Sequence, residues 1–357
     1  MDEPSAAPFP QRARTRQLSK APKHRACRLR RRDLVAGLGV VAAVWPASLW
    51  AAPTENRKRI GILMAIAESD NEAQTRIATF QDALRKLNWM PGRNLEVEIR
   101  WGGGDPDRIQ GAAAELAGLK PDVVLASATS VLRALMAETR SLPVVFVQVA
   151  DPVGAGLVAN AEHPGGNLTG FTNFSDAMGG RWVGLLKEAA PRVNRVVIIR
   201  NPVAASAARM LHAVETMAPT LGVELNPVSA VDAADIKLVM GKFARQPNVG
   251  LIVLPDVIAT VHRDLIIALA GTYQLPAIYP YRFFATSGGL MSYGVDTIDV
   301  YRRAGAYVNR ILRGEQPGRL PVQEPSKFEL VINLAAARTL GLALPQTLLA
   351  QANDVIE

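Results

Sequence analysis

The chain has 357 residues, a length that favours two domains over one, and its 49% hydrophobic and 20% charged residues exclude a disordered polymer. The formal charge of +8 is unevenly placed: residues 1–53 carry ten Lys/Arg against three acids, which leaves 30 basic and 29 acidic residues in the remainder. A body so near neutrality has no general electrostatic reason to bind nucleic acid or an anionic membrane.

The basic segment leads into a recognisable export signal. Arg30-Arg31-Arg32-Asp33-Leu34-Val35 opens an apolar run from Leu34 to Trp50, followed by Ala51-Ala52-Pro53. A positive region, an apolar region shorter than the ~20 residues that span a bilayer, and small residues predict a signal peptide over 1–52. Cleavage is expected near Ala51 or Ala52, which would leave the mature protein in the periplasm. The paired arginines resemble the twin-arginine export pattern, with Leu34 where that pattern prefers Phe; an uncleaved N-terminal anchor is the alternative. Cys27, the single cysteine, precedes the apolar run, so from Thr54 onward no disulfide or cysteine metal site can form.

From Arg57 short apolar strands alternate with amphipathic helices. Arg59–Ala65 reads as a buried parallel strand, and Asn71–Leu87 as a helix with Ile77, Phe80, Leu84 and Leu87 on one face. A strand at 95–101, a helix from Pro106 to Leu119, a strand at 123–126, a helix at 130–139 and a strand at 144–149 follow. Glycines and Pro164 punctuate 151–176, which reads as a linker with one strand. The alternation then restarts, with helices at 178–190, 204–221, 233–245, 260–273 and 297–312. The intervening strands fall at 195–200, 223–228, 250–254, 276–279 and 289–293, and a last strand at 327–333 precedes two short helices. Two successive sets predict two Rossmann-like α/β lobes with parallel sheets, lobe 1 from 57–172 with part of 313–357 and lobe 2 from 173–312.

Ligands of open parallel sheets bind beyond the carboxyl ends of the strands. The polar residues expected there are Glu68, Ser127, Thr129, Ser130, Gln148 and Asp151 in the first lobe, and Asn201, Asp256, Tyr279, Tyr293 and Asp296 in the second. Hydroxyls and free N–H groups at Ser127-Ala128-Thr129-Ser130 suit a carboxylate, or simply cap the next helix. Asp256 can accept a ligand ammonium or sugar hydroxyl, or cap a helix of its own. Tyr279 and Tyr293 can stack on a planar ligand, or pack in the core.

Catalytic motifs are scarce. His163, His212 and His262 have no i, i+4 histidine partner, there is no HExxH or GxSxG, and Gly102-Gly103-Gly104 lacks the spacing and lysine of a phosphate loop. No catalytic residue, metal or cofactor is therefore expected.

Segments spread over the body carry a family resemblance. They include Arg59-Ile60-Gly61-Ile62-Leu63, Trp101-Gly102-Gly103-Gly104-Asp105-Pro106-Asp107-Arg108, Asp151-Pro152-Val153-Gly154-Ala155-Gly156, Pro164-Gly165-Gly166-Asn167-Leu168-Thr169-Gly170, Leu254-Pro255-Asp256 and Ser292-Tyr293-Gly294-Val295-Asp296. In this order they resemble ABC transporter substrate-binding proteins of the tryptophan/tyrosine-binding type. Ser127-Ala128-Thr129-Ser130 stands where that family often shows a Gly-Thr-Pro-type segment. The resemblance implies a type I periplasmic-binding-protein fold with several interlobe crossings. It also implies capture of a small molecule such as an aromatic amino acid or similar heterocycle, and delivery to an inner-membrane ABC permease. A monomer with no nucleic-acid partner is expected. A ligand-binding sensor of the same fold is the alternative, and a periplasmic enzyme using Asp256 or Asp296 a further one.

Overall fold

A computed structural model describes residues 57–204, 206–244 and 246–357; the predicted signal peptide at 1–52 lies outside the described residues. Strands β1 (Lys58–Met64), β2 (Leu95–Trp101), β3 (Val123–Ser127), β4 (Val144–Val149) and β5 (Leu168–Thr172) form a wholly parallel sheet in the order β2-β1-β3-β4-β5. Helices α1 (Asn71–Lys86), α2 (Pro106–Gly118) and α3 (Thr129–Glu138) connect its first four strands. Asp70 caps α1 by accepting from the Glu72 and Ala73 amides, and Asp105 caps α2 in the same way ahead of Pro106. The continuous apolar run of β1 is explained by two covered faces. Ile60, Ile62 and Met64 share a core with Phe80 and Leu84 of α1, while Leu63 packs with Ile109 and Leu116 of α2.

The second sheet contains β6 (Arg195–Arg200), β7 (Glu224–Ser229), β8 (Val249–Val253), β9 (Ala277–Tyr279), β10 (Met291–Val295), β11 (Phe328–Asn333) and β12 (Asp354–Ile356). Its order is β12-β11-β10-β9-β8-β6-β7, parallel except between β10 and β11. Trp182 and Leu186 of α4 (Asp176–Ala189) cover one face through Val196, Ile198 and Ile252. Ile236 of α6 (Ala233–Gly241) and Ile266 of α8 (Arg263–Thr272) cover the other, which completes two parallel-dominated α/β lobes. Between them in the chain lie α5 (Ala207–Glu215) and α7 (Val257–Val261).

The lobe boundaries differ from those expected. Helix α10 (Thr297–Leu312), expected in the second lobe, packs on α1 and the first sheet. Its buried stripe Val300, Tyr301, Ala304, Val308 and Ile311 needs an apolar partner, and Gly305 lets it approach: a Cβ there would lie 2.8 Å from the Ala83 Cβ. Of the C-terminal segment, only the stretch ending near Gln323 joins the first lobe. There the Gln323 N–H donates to the Gly170 carbonyl at 2.9 Å and the Thr172 N–H to the Gln323 carbonyl at 2.9 Å. β11 and β12 instead extend the second sheet. The chain thus crosses between lobes at 172–176, 295–297 and 323–328.

Three helices differ in extent from what their periodicity predicts, and the one expected at 233–245 ends at Gly241. The helix expected at 204–221 stops at Glu215, and Pro219 opens a separate 3-10 turn. The helix expected at 260–273 is two helices, broken at His262, whose φ of −99° and ψ of 21° leave the helical region. A short α9 (Arg282–Thr286) follows β9, and two short helices, α11 (Leu334–Thr339) and α12 (Gln346–Leu349), precede β12. Among the described residues no helix is long and apolar enough to cross a membrane.

Candidate ligand-binding site

The carboxyl ends of both sheets open onto one cavity of about 270 Å³. The first lobe contributes Ile66 after β1, Ser127 at the end of β3 with Ala128 to Ser130 after it, Gln148 from β4 and Asn173 after β5. The second contributes Asn201 after β6, Asp256 after β8 and Tyr281 after β9. Arg76 of α1, Arg133 of α3, Ser206 and Thr260 of α7 add to the polar lining.

The turn into α3 is the most constrained part of the wall. Ala128 has φ 100° and ψ 158°, a region that costs a non-glycine residue about 1–3 kcal/mol. Its N–H donates to the Val147 carbonyl at 3.0 Å, which ties the strained residue to β4. Among the described residues no side chain caps α3, so its first-turn N–H groups face the cavity end without a side-chain acceptor there. Ser127 does not serve as a cap: its hydroxyl is buried and pairs with the Tyr301 hydroxyl of α10 at 2.6 Å.

Opposite, Asp256 fills a structural post as well as lining the cavity. One carboxylate oxygen accepts from the Ile258 N–H at 2.8 Å, capping α7, and the Asn201 amide donates to both oxygens at 3.2 and 3.3 Å. Burial raises its pKa above the ordinary aspartate value, against the opposing effect of these hydrogen bonds.

A third polar group joins the two lobes. The Asn173 side chain donates to Gln148 Oε1 at 3.2 Å and to the Tyr281 hydroxyl at 2.7 Å. Arg76 is 4% exposed; its Nε donates to Glu72 at 3.0 Å and its guanidinium lies over the rings of Phe283 and Tyr301 at 5.5 and 5.8 Å. Burial works against the Arg76 charge, but Glu72 and the tyrosines outweigh it, and its pKa is raised. Among the described residues, three buried atoms here lack a partner: Arg76 Nη2, Gln148 Nε2 and Asn173 Oδ1. Each such atom costs about 1–3 kcal/mol while unpaired, more for a charged group.

Of the eleven residues expected at strand ends, Ser127, Thr129, Ser130, Gln148, Asn201 and Asp256 meet at the cavity. The other five do not line it. Glu68 is exposed, and only its carbonyl is engaged, by Gln74. Asp151 turns to the Gly154 N–H and to Arg209, which also holds Asp176. Tyr279 is core, stacked on Phe284 with ring centroids 4.9 Å apart, and burial raises its pKa. Tyr293 stacks on Phe328 with Arg181 over its ring, and Asp296 caps α10 through the Asp299 N–H at 2.9 Å.

Sequence reasoning missed Arg76, Asn173 and Tyr281. Arg76 stands on the apolar stripe Ala73, Ile77, Phe80 and Leu84, so a charge on a core face was the available signal. Pro280 ends β9 and places Tyr281, rather than Tyr279, at the sheet edge. Among the described residues no group of three or more His, Cys, Asp or Glu could hold a metal ion.

Residues 59–356 match the profile of a family described as ABC transporter substrate binding protein. A tyrosine-binding protein of Clostridioides difficile is 22% identical over 289 residues, 81% of this chain and 82% of that protein. A conserved domain protein from Vibrio cholerae shares 28% identity at a TM-score of 0.78, covering 84% of this chain and 99% of its own. An ABC domain from Streptococcus pneumoniae, solved in complex with L-Trp, has the same fold, with 22% identity, a TM-score of 0.78, and coverage of 84% and 100%.

Proposed function

The chain belongs to the ABC transporter substrate-binding protein family, and we propose that it is the exported, periplasmic component of an importer, binding an aromatic amino acid or similar heterocycle between its lobes. The observation that carries this reading is the cavity itself, where six polar residues at strand carboxyl ends converge from two separate sheets. The uncapped start of α3, with Thr129 and Ser130, receives the ligand carboxylate. Free N–H groups and the helix dipole favour an anion there by about 0.3–1 kcal/mol, and up to ~2 in partly buried geometry. Asp256 and Asn201 receive the ammonium, and the Tyr281 ring, the one aromatic side chain lining the cavity among the described residues, takes the planar group.

Two lobes joined by three crossings suit a hinge, so that ligand shifts an open–closed equilibrium and the closed form docks on an inner-membrane permease. The leader at 1–52 delivers the protein to that compartment, where it acts as a monomer. The named family relatives bind tyrosine or hold L-Trp, and this supports the ligand class. Calorimetry with L-tryptophan and L-tyrosine, paired with small-angle scattering, tests the reading. Saturable one-to-one binding with a decrease in radius of gyration is expected; chemical turnover of a bound compound would sink it.

A further inference from the structure

We infer that Arg76 is the specificity-determining cation of this cavity: it holds the ligand's carboxylate together with the start of α3, and so selects carboxylic acids over amines, amides and polyols. The inference rests on the proposed solute-binding role and deepens it.

Several observations converge on Arg76. It lines the cavity, is 96% buried by its 4% exposure, and keeps Nη2 without a partner although Nε is held by Glu72. A chain of contacts through Tyr301 and Ser127 links it to the anion seat. Its guanidinium lies 5.8 Å from the Tyr301 ring centroid, and the Tyr301 hydroxyl contacts Ser127, the residue that leads into uncapped α3. A planar guanidinium whose Nε is committed to Glu72 is suited to donate to a single further anionic oxygen. The helix start offers N–H groups for the second oxygen of the same carboxylate.

The charge arrangement fits the same class of ligand. Asp256 lies across the cavity as the one lining carboxylate among the described residues, opposite the buried cation Arg76 and the exposed cation Arg133 of α3, so the lining presents positive and negative charge at separate places. A zwitterion matches both, whereas a polyol leaves the Arg76 charge unanswered. Arg76 also reaches beyond its own lobe. Its guanidinium sits over Phe283 of α9 at 5.5 Å, and Phe283 carries Arg263 at 5.6 Å. A carboxylate held by Arg76 is thereby held to a side chain that already touches the second lobe, which ties anion binding to closure.

The test compares L-tryptophan and L-tyrosine with tryptamine, tyramine, the two amino-acid amides and ribitol, by calorimetry on the ligand-stripped full chain. Wild type should bind the acids at least 100-fold more tightly than the matched amines. Arg76→Gln should reduce that ratio at least tenfold, and Arg76→Lys should recover part of it. Because Arg76→Gln strands the Glu72 carboxylate, the pair Glu72→Gln with Arg76→Gln is measured too, and should show the same loss of ratio with a native far-UV spectrum.

A purely structural Arg76 would lower melting temperature and weaken acid and amine alike, which overturns the inference. Wild type binding amides or amines as tightly as acids overturns it also, while leaving the solute-binding reading intact. If none of the panel binds, mass spectrometry of the compound released from unstripped protein decides. A compound with a carboxylate, failing to bind Arg76→Gln, supports the inference; one without a carboxylate overturns it. A protein that releases nothing and binds nothing overturns the solute-binding reading, and the inference falls with it.

Discussion

Breaking the Asp70–Arg263 ion pair should open the molecule without unfolding it. Asp70 belongs to the first lobe and Arg263 to α8 of the second; Arg263 Nη1 donates to Asp70 Oδ2 at 2.5 Å, with the side chains only 18% and 11% exposed. The same Asp70 uses its other oxygen to cap α1, and Arg263 additionally stacks on Phe283. A largely buried charge-assisted hydrogen bond contributes about 1.5–3 kcal/mol, whereas the cation–π contact lies within the second lobe and weighs equally on open and closed forms. Because the Asp70 carboxylate keeps its two backbone donors when Arg263 is removed, a net loss of about 2–3 kcal/mol from the closed form is the reasonable figure. That corresponds to roughly a 30- to 150-fold shift toward open forms, and to at most the same loss of apparent ligand affinity.

Arg263→Met should therefore raise the radius of gyration in scattering and accelerate ligand release, with little change in melting temperature, since each lobe keeps its own core. Asp70→Ala removes the α1 cap as well, a further ~1 kcal/mol, and should lower the melting temperature more than Arg263→Met does. An Arg263→Met protein with unchanged compaction and release rate would refute the assignment of this pair as an interlobe latch.

Three other outcomes follow from the same geometry. The raised pKa of Asp256 means that its protonated form is favoured by folding, so its charge weakens stability as pH rises through that pKa, while ligand ammonium binding needs the charge and fades as pH falls through it. Asp256→Asn should keep the α7 cap, match or exceed wild-type melting temperature at neutral pH, and bind ligand at least about tenfold more weakly with no acid-side dependence, as calorimetry over a pH series would show. Ala128→Gly relieves the backbone strain at φ 100° and, after the entropy cost of glycine, should stabilise the protein by about 1 kcal/mol, or roughly 2 °C in a thermal melt. Gly305→Ala drives a methyl to within 2.8 Å of Ala83 and should cost about 1–3 kcal/mol in urea denaturation, with α1 and α10 forced apart.

Much of this arrangement was legible in the sequence because the signals were local. Apolar runs bounded by turns placed β1, β3, β4, β6 and β8 within a residue or two, and the strand-end rule found both walls of the cavity at Ser127–Ser130 and Asp256. The rule failed at Tyr279 and Tyr293 because successive residues of a strand alternate between two covered faces, and these two side chains fall on faces that pack against Phe284 and Phe328 instead of the cavity. The placement of α10 was illegible for a different reason. Its apolar stripe states that it must pack, but not on which lobe, and that choice is made by the fit of Gly305 against Ala83 across more than two hundred residues. Arg76 escaped attention because a helix periodicity that reads apolar positions passes over the one charged residue on the buried face.

The central claim is that the cavity between the two sheets holds a zwitterionic small molecule. Native mass spectrometry of the full-chain protein purified without ligand stripping, with identification of the released compound, tests it most directly. One bound molecule per chain, carrying both a carboxylate and an amine and displaced by Asp256→Asn, is the predicted result. A protein that carries no small molecule and gains none from L-tryptophan, L-tyrosine or their heterocyclic analogues would contradict it.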